Sequence, residues 1–151
     1  MRTFASAGEV LAAVGEHLGY SDWLEIGQER VNLFAEATSD HQWIHVDPER
    51  AKSGPFGTTI AHGFLTLSLL PALVSQVYRV DGARMGINYG LDKVRFPAPL
   101  PTGSKVRVGV ELLVADDLGD GWLQLKNRAT IEREGHEKPV CVAETLTRLL
   151  V

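Results

Sequence analysis

Two hydrophobic periodicities divide the chain. Up to about Tyr78 the apolar residues recur mostly at helical spacing, and beyond Lys105 they alternate. Val10, Leu11, Val14 and Leu18 predict a short amphipathic helix that ends near Gly19. A short strand is expected at Trp23 to Ile26, followed by a helix over Gln28 to Thr38 with Val31, Leu33, Phe34 and Ala37 on one stripe. Asp47 and Pro48 open a further short turn of helix, Asp47 as N-cap and Pro48 at the first helical position. Gly54 to Thr59 reads as a loop. From Ala61 to Tyr78 the chain is apolar on nearly every side, as in a helix buried on most of its faces, though it is too short for a membrane span. Pro71 removes the amide that would bond the Leu67 carbonyl and predicts a kink or division there.

In the second half, Val106, Val108, Val110 and Leu112 alternate with polar residues, as do Leu123, Leu125, Ala129 and Ile131, which is the pattern of half-buried strands. Asp116 to Gly121 supplies a hairpin turn between them. Further strands are expected at Arg84 to Phe96, with Gly86 and Gly90 allowing bulges, and at Val140 to Leu150. Short connections make neighbours antiparallel, and the apolar face of such a sheet needs a cover. The expected fold is α+β, an antiparallel sheet wrapped around one long central helix, in a single domain spanning residues 1–151.

Composition removes several function classes. A hydrophobic fraction of 44%, a charged fraction of 23% and a net charge of -4 argue against disorder and give no footprint for nucleic acid or an anionic membrane. Glu9 and Glu16 interrupt any signal-peptide core, so a cytoplasmic protein is expected. The single cysteine, Cys141, lies in an apolar run and reads as a buried, inert thiol.

Chemistry concentrates at Ala37 to Ala51, where Asp40 precedes His45 ahead of the apolar helix. A carboxylate and an imidazole form an acid/base pair, and a nearby helix start offers amides to a developing negative charge. Taken singly, Asp40 reads equally as a turn residue bonding local backbone and His45 as a satisfied core histidine. His41 and His45 have H-x-x-x-H spacing, but Gln42 stands where a zincin-like motif carries its glutamate, so no metal site is expected.

The segment SDHQWIH, with Asp40, Ile44 and His45, resembles the MaoC-like, (R)-specific enoyl-CoA hydratases (hydratase 2), whose pattern there is roughly Gly-Asp-x-Asn-Pro-hydrophobic-His. IAHG at Ile60 to Gly63 and YGLDKVRFPAPLPTG at Tyr89 to Gly103 also look like this family, and the resemblance runs from about Gln28 to the C-terminus. Ser39, Gln42 and Trp43 replace the family's glycine, asparagine and proline. Pro71 stands where some bacterial hydratases have a serine, so no hydroxyl role is carried over.

The resemblance implies a hotdog fold and reversible hydration of trans-2-enoyl-CoA to (R)-3-hydroxyacyl-CoA. Asp40 and His45 would hold one water, Asp40 as general base and His45 as proton donor to C2. The Gly63 amide would bind the thioester oxygen, with Gln42 in support. His62, Lys93, Arg95 and Arg50 are candidate substrate contacts, the three cations for coenzyme A phosphates, although Lys93 and Arg95 read also as a solvated strand face. No cofactor is implied, since coenzyme A is part of the substrate, which an acyl carrier protein could replace. The resemblance further implies a homodimer. Thioester hydrolysis and a non-catalytic acyl-thioester-binding subunit of a dehydratase complex are the competing readings, because one fold supports several functions.

Overall fold

In the computed structural model, which describes residues Met1–Val151, strand β1 (Arg2–Phe4) leads into helix α1 (Ala7–Ala12). Ser6 caps that helix by accepting from the Glu9 amide at 3.3 Å. The helix expected to reach Gly19 stops early, because Gly15 takes φ +90° and breaks the turn. His17–Tyr20 leaves as strand β2, with Leu18 buried from a strand instead of a helix. Strand β3 (Leu24–Ile26) and helix α2 (Gln28–Thr38) follow as expected. Next come two single turns, α3 (Trp43–Val46) and α4 (Pro48–Ala51), the latter capped by Asp47, whose carboxylate accepts from the Arg50 amide at 3.1 Å.

The long central helix is instead two short ones, α5 (Gly63–Ser68) and α6 (Leu70–Val77). Pro71 sits in the first turn of α6, where its missing N–H costs no helical bond, so the division foreseen from Pro71 falls at Leu69. Strand β4 (Tyr78–Val80) pairs in parallel with β1, a two-stranded sheet that the pattern did not suggest. Strands β5 (Met85–Arg95), β6 (Ser104–Gly119), β7 (Trp122–Arg133) and β8 (Cys141–Leu150) complete the chain. The β6–β7 turn is tighter than expected. Asp120 and Gly121 both take left-handed φ, 53° and 80°, as a two-residue type I′ hairpin requires.

The main sheet has six strands in the order β2-β6-β7-β8-β5, with β3 also on β6 and every pairing antiparallel. Its inward rows, Val106, Val108, Val110 and Leu112 on β6 and Leu123, Leu125, Ala129 and Ile131 on β7, share one buried cluster with Leu65 of α5, Leu69 at the junction and Leu70, Leu73 and Val77 of α6. The alternation read from sequence is therefore one face packed on the helices and one on solvent. Charged residues hold the outer face: Lys126 bridges Asp92 at 2.8 Å and Glu144 at 3.0 Å, and Arg128 pairs with Glu111 at 2.9 Å. Cys141 is buried and free, and burial pushes its thiol up to about 11. No helix is long and apolar enough to cross a membrane.

Leu73 is fully buried where α6 meets the sheet. Leu73→Ala is expected to lower the unfolding free energy by ~2–5 kcal/mol, read as a lower midpoint in chemical denaturation at unchanged slope.

Candidate functional site

Helix α2 ends on Ser39 in the left-handed region, φ 61°, which turns the chain outward into Asp40. This is where the resembled family has glycine, and the left-handed backbone gives the reason. The Asp40 carboxylate is half exposed and accepts only a long 3.4 Å bond from the Gln42 amide. The single turn α3 then drives the His45 ring inward, to 7% exposure.

The segment before α5 runs back along α3. The Ile60 amide donates to the Ile44 carbonyl at 2.9 Å, and His45 Nδ1–H donates to the Ile60 carbonyl at 2.6 Å. A carbonyl only accepts, so Nδ1 carries the hydrogen and Nε2 is left bare when the ring is neutral. His62, 3% exposed, stacks on His45 with ring centroids 3.8 Å apart and 25° between planes. Its Nε2–H donates to the Asp40 main-chain carbonyl at 2.9 Å, while its Nδ1 is buried without a partner. Next in sequence, Gly63 opens α5, and the first amides of a helix have no partner within it. A Cβ at Gly63 would lie 3.0 Å from the Phe96 ring, so any larger residue would require that ring to shift.

Burial lowers the His45 pKa below 6.5, the Ile60 bond partly opposes this, His62 lowers it further and Asp40 raises it. The ring is therefore neutral at pH 7. Ligating atoms of Asp40, His45 and His62 lie within 4.8 Å of one another, yet no direct hydrogen bond joins the side chains of Asp40 and His45. One water accepted by both at ~2.8 Å fits such a gap. A metal ion fits less well. Two stacked imidazoles aim their free lone pairs along nearly parallel planes and cannot both meet one ion at ~2.0–2.1 Å.

The structure thus brings Asp40, His45 and His62 together, with Gly63 following His62 at the start of α5 and Gln42 joined through its main chain. His62 is buried against His45, with its Nε2 occupied by the Asp40 carbonyl. Arg50 packs its guanidinium over the Trp43 ring at 4.4 Å. Lys93 and Arg95 are exposed on β5, and Arg95 bonds the Val94 carbonyl at 2.7 Å. Sequence reasoning missed Gln28. Its Nε2 donates to the His45 carbonyl at 2.6 Å, and its Oε1 accepts from the Thr59 hydroxyl at 2.6 Å. Nothing in its local pattern marks it, since its partners are distant in the chain. Two surface clefts lie elsewhere, about 370 Å³ around Tyr89, Trp122 and Arg148 and about 300 Å³ around Arg2 and Glu16. They are open to solvent and hold no acid/base pair of this kind.

Comparison with known proteins shows the family and the fold. Residues 9–130 match the family described as MaoC like domain. A 3-hydroxyacyl-thioester dehydratase Z from Mycobacterium tuberculosis is 61% identical over 148 residues, covering 98% of each chain. An (R)-hydratase from A. caviae involved in PHA biosynthesis superposes with a TM-score of 0.70 at 25% identity, over 89% of this chain and 94% of that one. A monoamine oxidase regulatory protein from Archaeoglobus fulgius shares the fold at a TM-score of 0.80 and 22% identity, over 98% and 95% of the two chains.

The depressed His45 pKa makes acid destabilising: below about 6.5 the unfolded chain binds a proton that the folded ring refuses. Unfolding free energy is expected to fall as pH drops from about 6.5 through the folded-state value. In denaturant titrations across pH 5–7, His45→Gln should flatten that slope.

Proposed function

The chain belongs to the MaoC-like domain family, and on that premise we propose that it is a hydro-lyase acting on acyl thioesters, interconverting trans-2-enoyl-CoA and (R)-3-hydroxyacyl-CoA. The observation that carries this reading is the gap between Asp40 and His45, sized for one water, beside the amide that opens α5.

Hydration places hydroxide on C3 and a proton on C2, while charge passes through the conjugated thioester oxygen. The bare Nε2 of neutral His45 takes one proton from the water as the oxygen bonds C3, and the Asp40 carboxylate accepts the water's other hydrogen and orients it. Electrons of the double bond move to the thioester oxygen, where the Gly63 N–H stabilises the enolate. The enolate then collapses and C2 takes the proton from the His45 imidazolium, giving addition on one face. This refines the roles that the resemblance implied. His45 remains the donor to C2 but can give a proton only after receiving one. The reverse path eliminates water. Neither direction asks for a metal or a redox cofactor.

The partner in this reading is a second copy of the chain. Strand β5 ends the sheet order, so one of its edges is unpaired along eleven residues, and ten of the eleven are exposed. Met85, Ile87, Tyr89 and Leu91 on β5, and Phe96 just beyond it, are exposed large side chains, and a long apolar edge invites pairing. Phe64, 71% exposed, meets Phe96 edge-on at 6.3 Å beside Gly63, so that edge reaches the reacting groups. A second copy laid along β5 would cover these rings and wall an acyl channel. Lys93 and Arg95 on the same strand are then candidates for coenzyme A phosphates.

Purified protein with crotonyl-CoA is expected to lose enoyl absorbance without releasing thiol, and Asp40→Asn or His45→Gln should cost ~10²-fold or more in kcat while leaving the fold intact. Thiol release would instead assign a thioesterase, and inactivity across short and long enoyl thioesters a binding subunit. Light scattering should give a particle of twice the 16.5 kDa chain mass. Leu91→Asp should shift it toward monomer and reduce activity with it.

A further inference from the structure

His62 is packed against two rings and held at one edge. Phe34 covers one side at 4.9 Å between ring centroids, and His45 stacks on the ring at 3.8 Å. Its Nε2–H donates to the Asp40 main-chain carbonyl at 2.9 Å, and the same nitrogen lies 3.9 Å from the Asp40 carboxylate. A phenyl ring would fill this slot and avoid the buried Nδ1 that has no partner. What it would lack is the N–H that reaches Asp40.

Asp40 has little else to hold it. Its carboxylate is 52% exposed, its one side-chain hydrogen bond is a long 3.4 Å contact, and it follows a residue in the left-handed region. His45, by contrast, is tied through Nδ1 to Ile60 and through its carbonyl to Gln28. Of the two groups facing the water gap, one is built into the fold and the other hangs on its neighbours. The contact that joins them is His62, which touches His45 with its face and Asp40 with its edge.

We propose that His62 is a positioning residue that sets the distance between Asp40 and His45, its Nε2–H anchoring the Asp40 main chain while its ring supports the His45 imidazole. It touches neither water nor acyl chain. This inference rests on the hydro-lyase reading for its kinetic consequence, but its structural content does not. If Asp40 drifts, the water is misoriented at the moment of attack, whereas the thioester still binds, so the loss falls on kcat and spares KM.

The test compares the wild type with His62→Phe and His62→Gln. Phenylalanine keeps the ring packing and removes the donor, and glutamine carries an amide nitrogen about as far from its Cα as the imidazole Nε2 is. With crotonyl-CoA, His62→Phe should lose ~10-fold or more in kcat with KM within ~2-fold, and His62→Gln should recover most of the loss. Amide resonances of Asp40, His41 and Gln42 should shift, and exchange faster, in His62→Phe and return in His62→Gln. A His62→Phe protein with wild-type kcat, or with a raised KM alone, would overturn the proposal in favour of core filling or substrate contact. Should the wild type be inert toward every enoyl thioester, the hydro-lyase reading falls by itself. The amide resonances then decide the role of His62, and unmoved resonances in His62→Phe would end it.

Discussion

The site depends on one hydrogen bond, from His45 Nδ1–H to the Ile60 carbonyl at 2.6 Å. A neutral bond of this kind contributes only ~1 kcal/mol of stability, yet it decides the tautomer and hence which chemistry the ring can do. The same residue is tied to α3 a second time, because the Ile60 amide donates to the Ile44 carbonyl at 2.9 Å. The Ala61 amide donates to the Leu100 carbonyl at 2.8 Å and the Thr102 amide to the Thr59 carbonyl at 3.0 Å, so the returning segment is fixed on its far side too. Only with that segment fixed do His62 and Gly63, its next residues, arrive beside Asp40.

Burial does opposite things at two places in the molecule. At Cys141 it acts alone and raises the thiol to about 11, which leaves a group that neither ionises nor reacts near neutral pH. At His45 it also disfavours the charged form, but Ile60 and Asp40 push back, so the ring is neutral at rest without being barred from accepting a proton. That intermediate condition is what proton transfer in both directions requires. A solvated histidine would be partly charged before the reaction began, and one buried without partners could not hold a proton at all.

The strand half was legible because its faces differ: Val106, Val108, Val110 and Leu112 are all buried, and their neighbours pair with charges across strands. Helical spacing misled at Val10 to Leu18, since Leu18 is buried whether it ends a helix or starts a strand, and the deciding feature was the φ +90° of Gly15. The pair β1 and β4 was invisible because three residues carry no period. In the site, Asp40 and His45 could be found by spacing on one segment. Gln28 could not, because its contacts lie 17 and 31 residues away in the chain. His62 was legible as part of a motif but its stacking on His45 was not, since a sequence does not tell which ring backs another.

Gly63 links the chemistry to the sheet edge. A Cβ there would lie 3.0 to 3.2 Å from Phe96, so the start of α5 and the ring that follows β5 are closely apposed and a side chain at residue 63 would have to displace the ring. Phe96 is itself exposed and carries Phe64 against it. A displacement of the end of β5 therefore moves the ring packed on the donor proposed for the thioester oxygen. If a second copy pairs along that strand, association and catalysis are coupled through this contact, because strand pairing would hold Phe96, and Phe96 bounds the space in which the thioester oxygen must lie. The coupling needs no long pathway. It crosses the close approach of Phe96 to Gly63, which a methyl group at residue 63 would have to push apart.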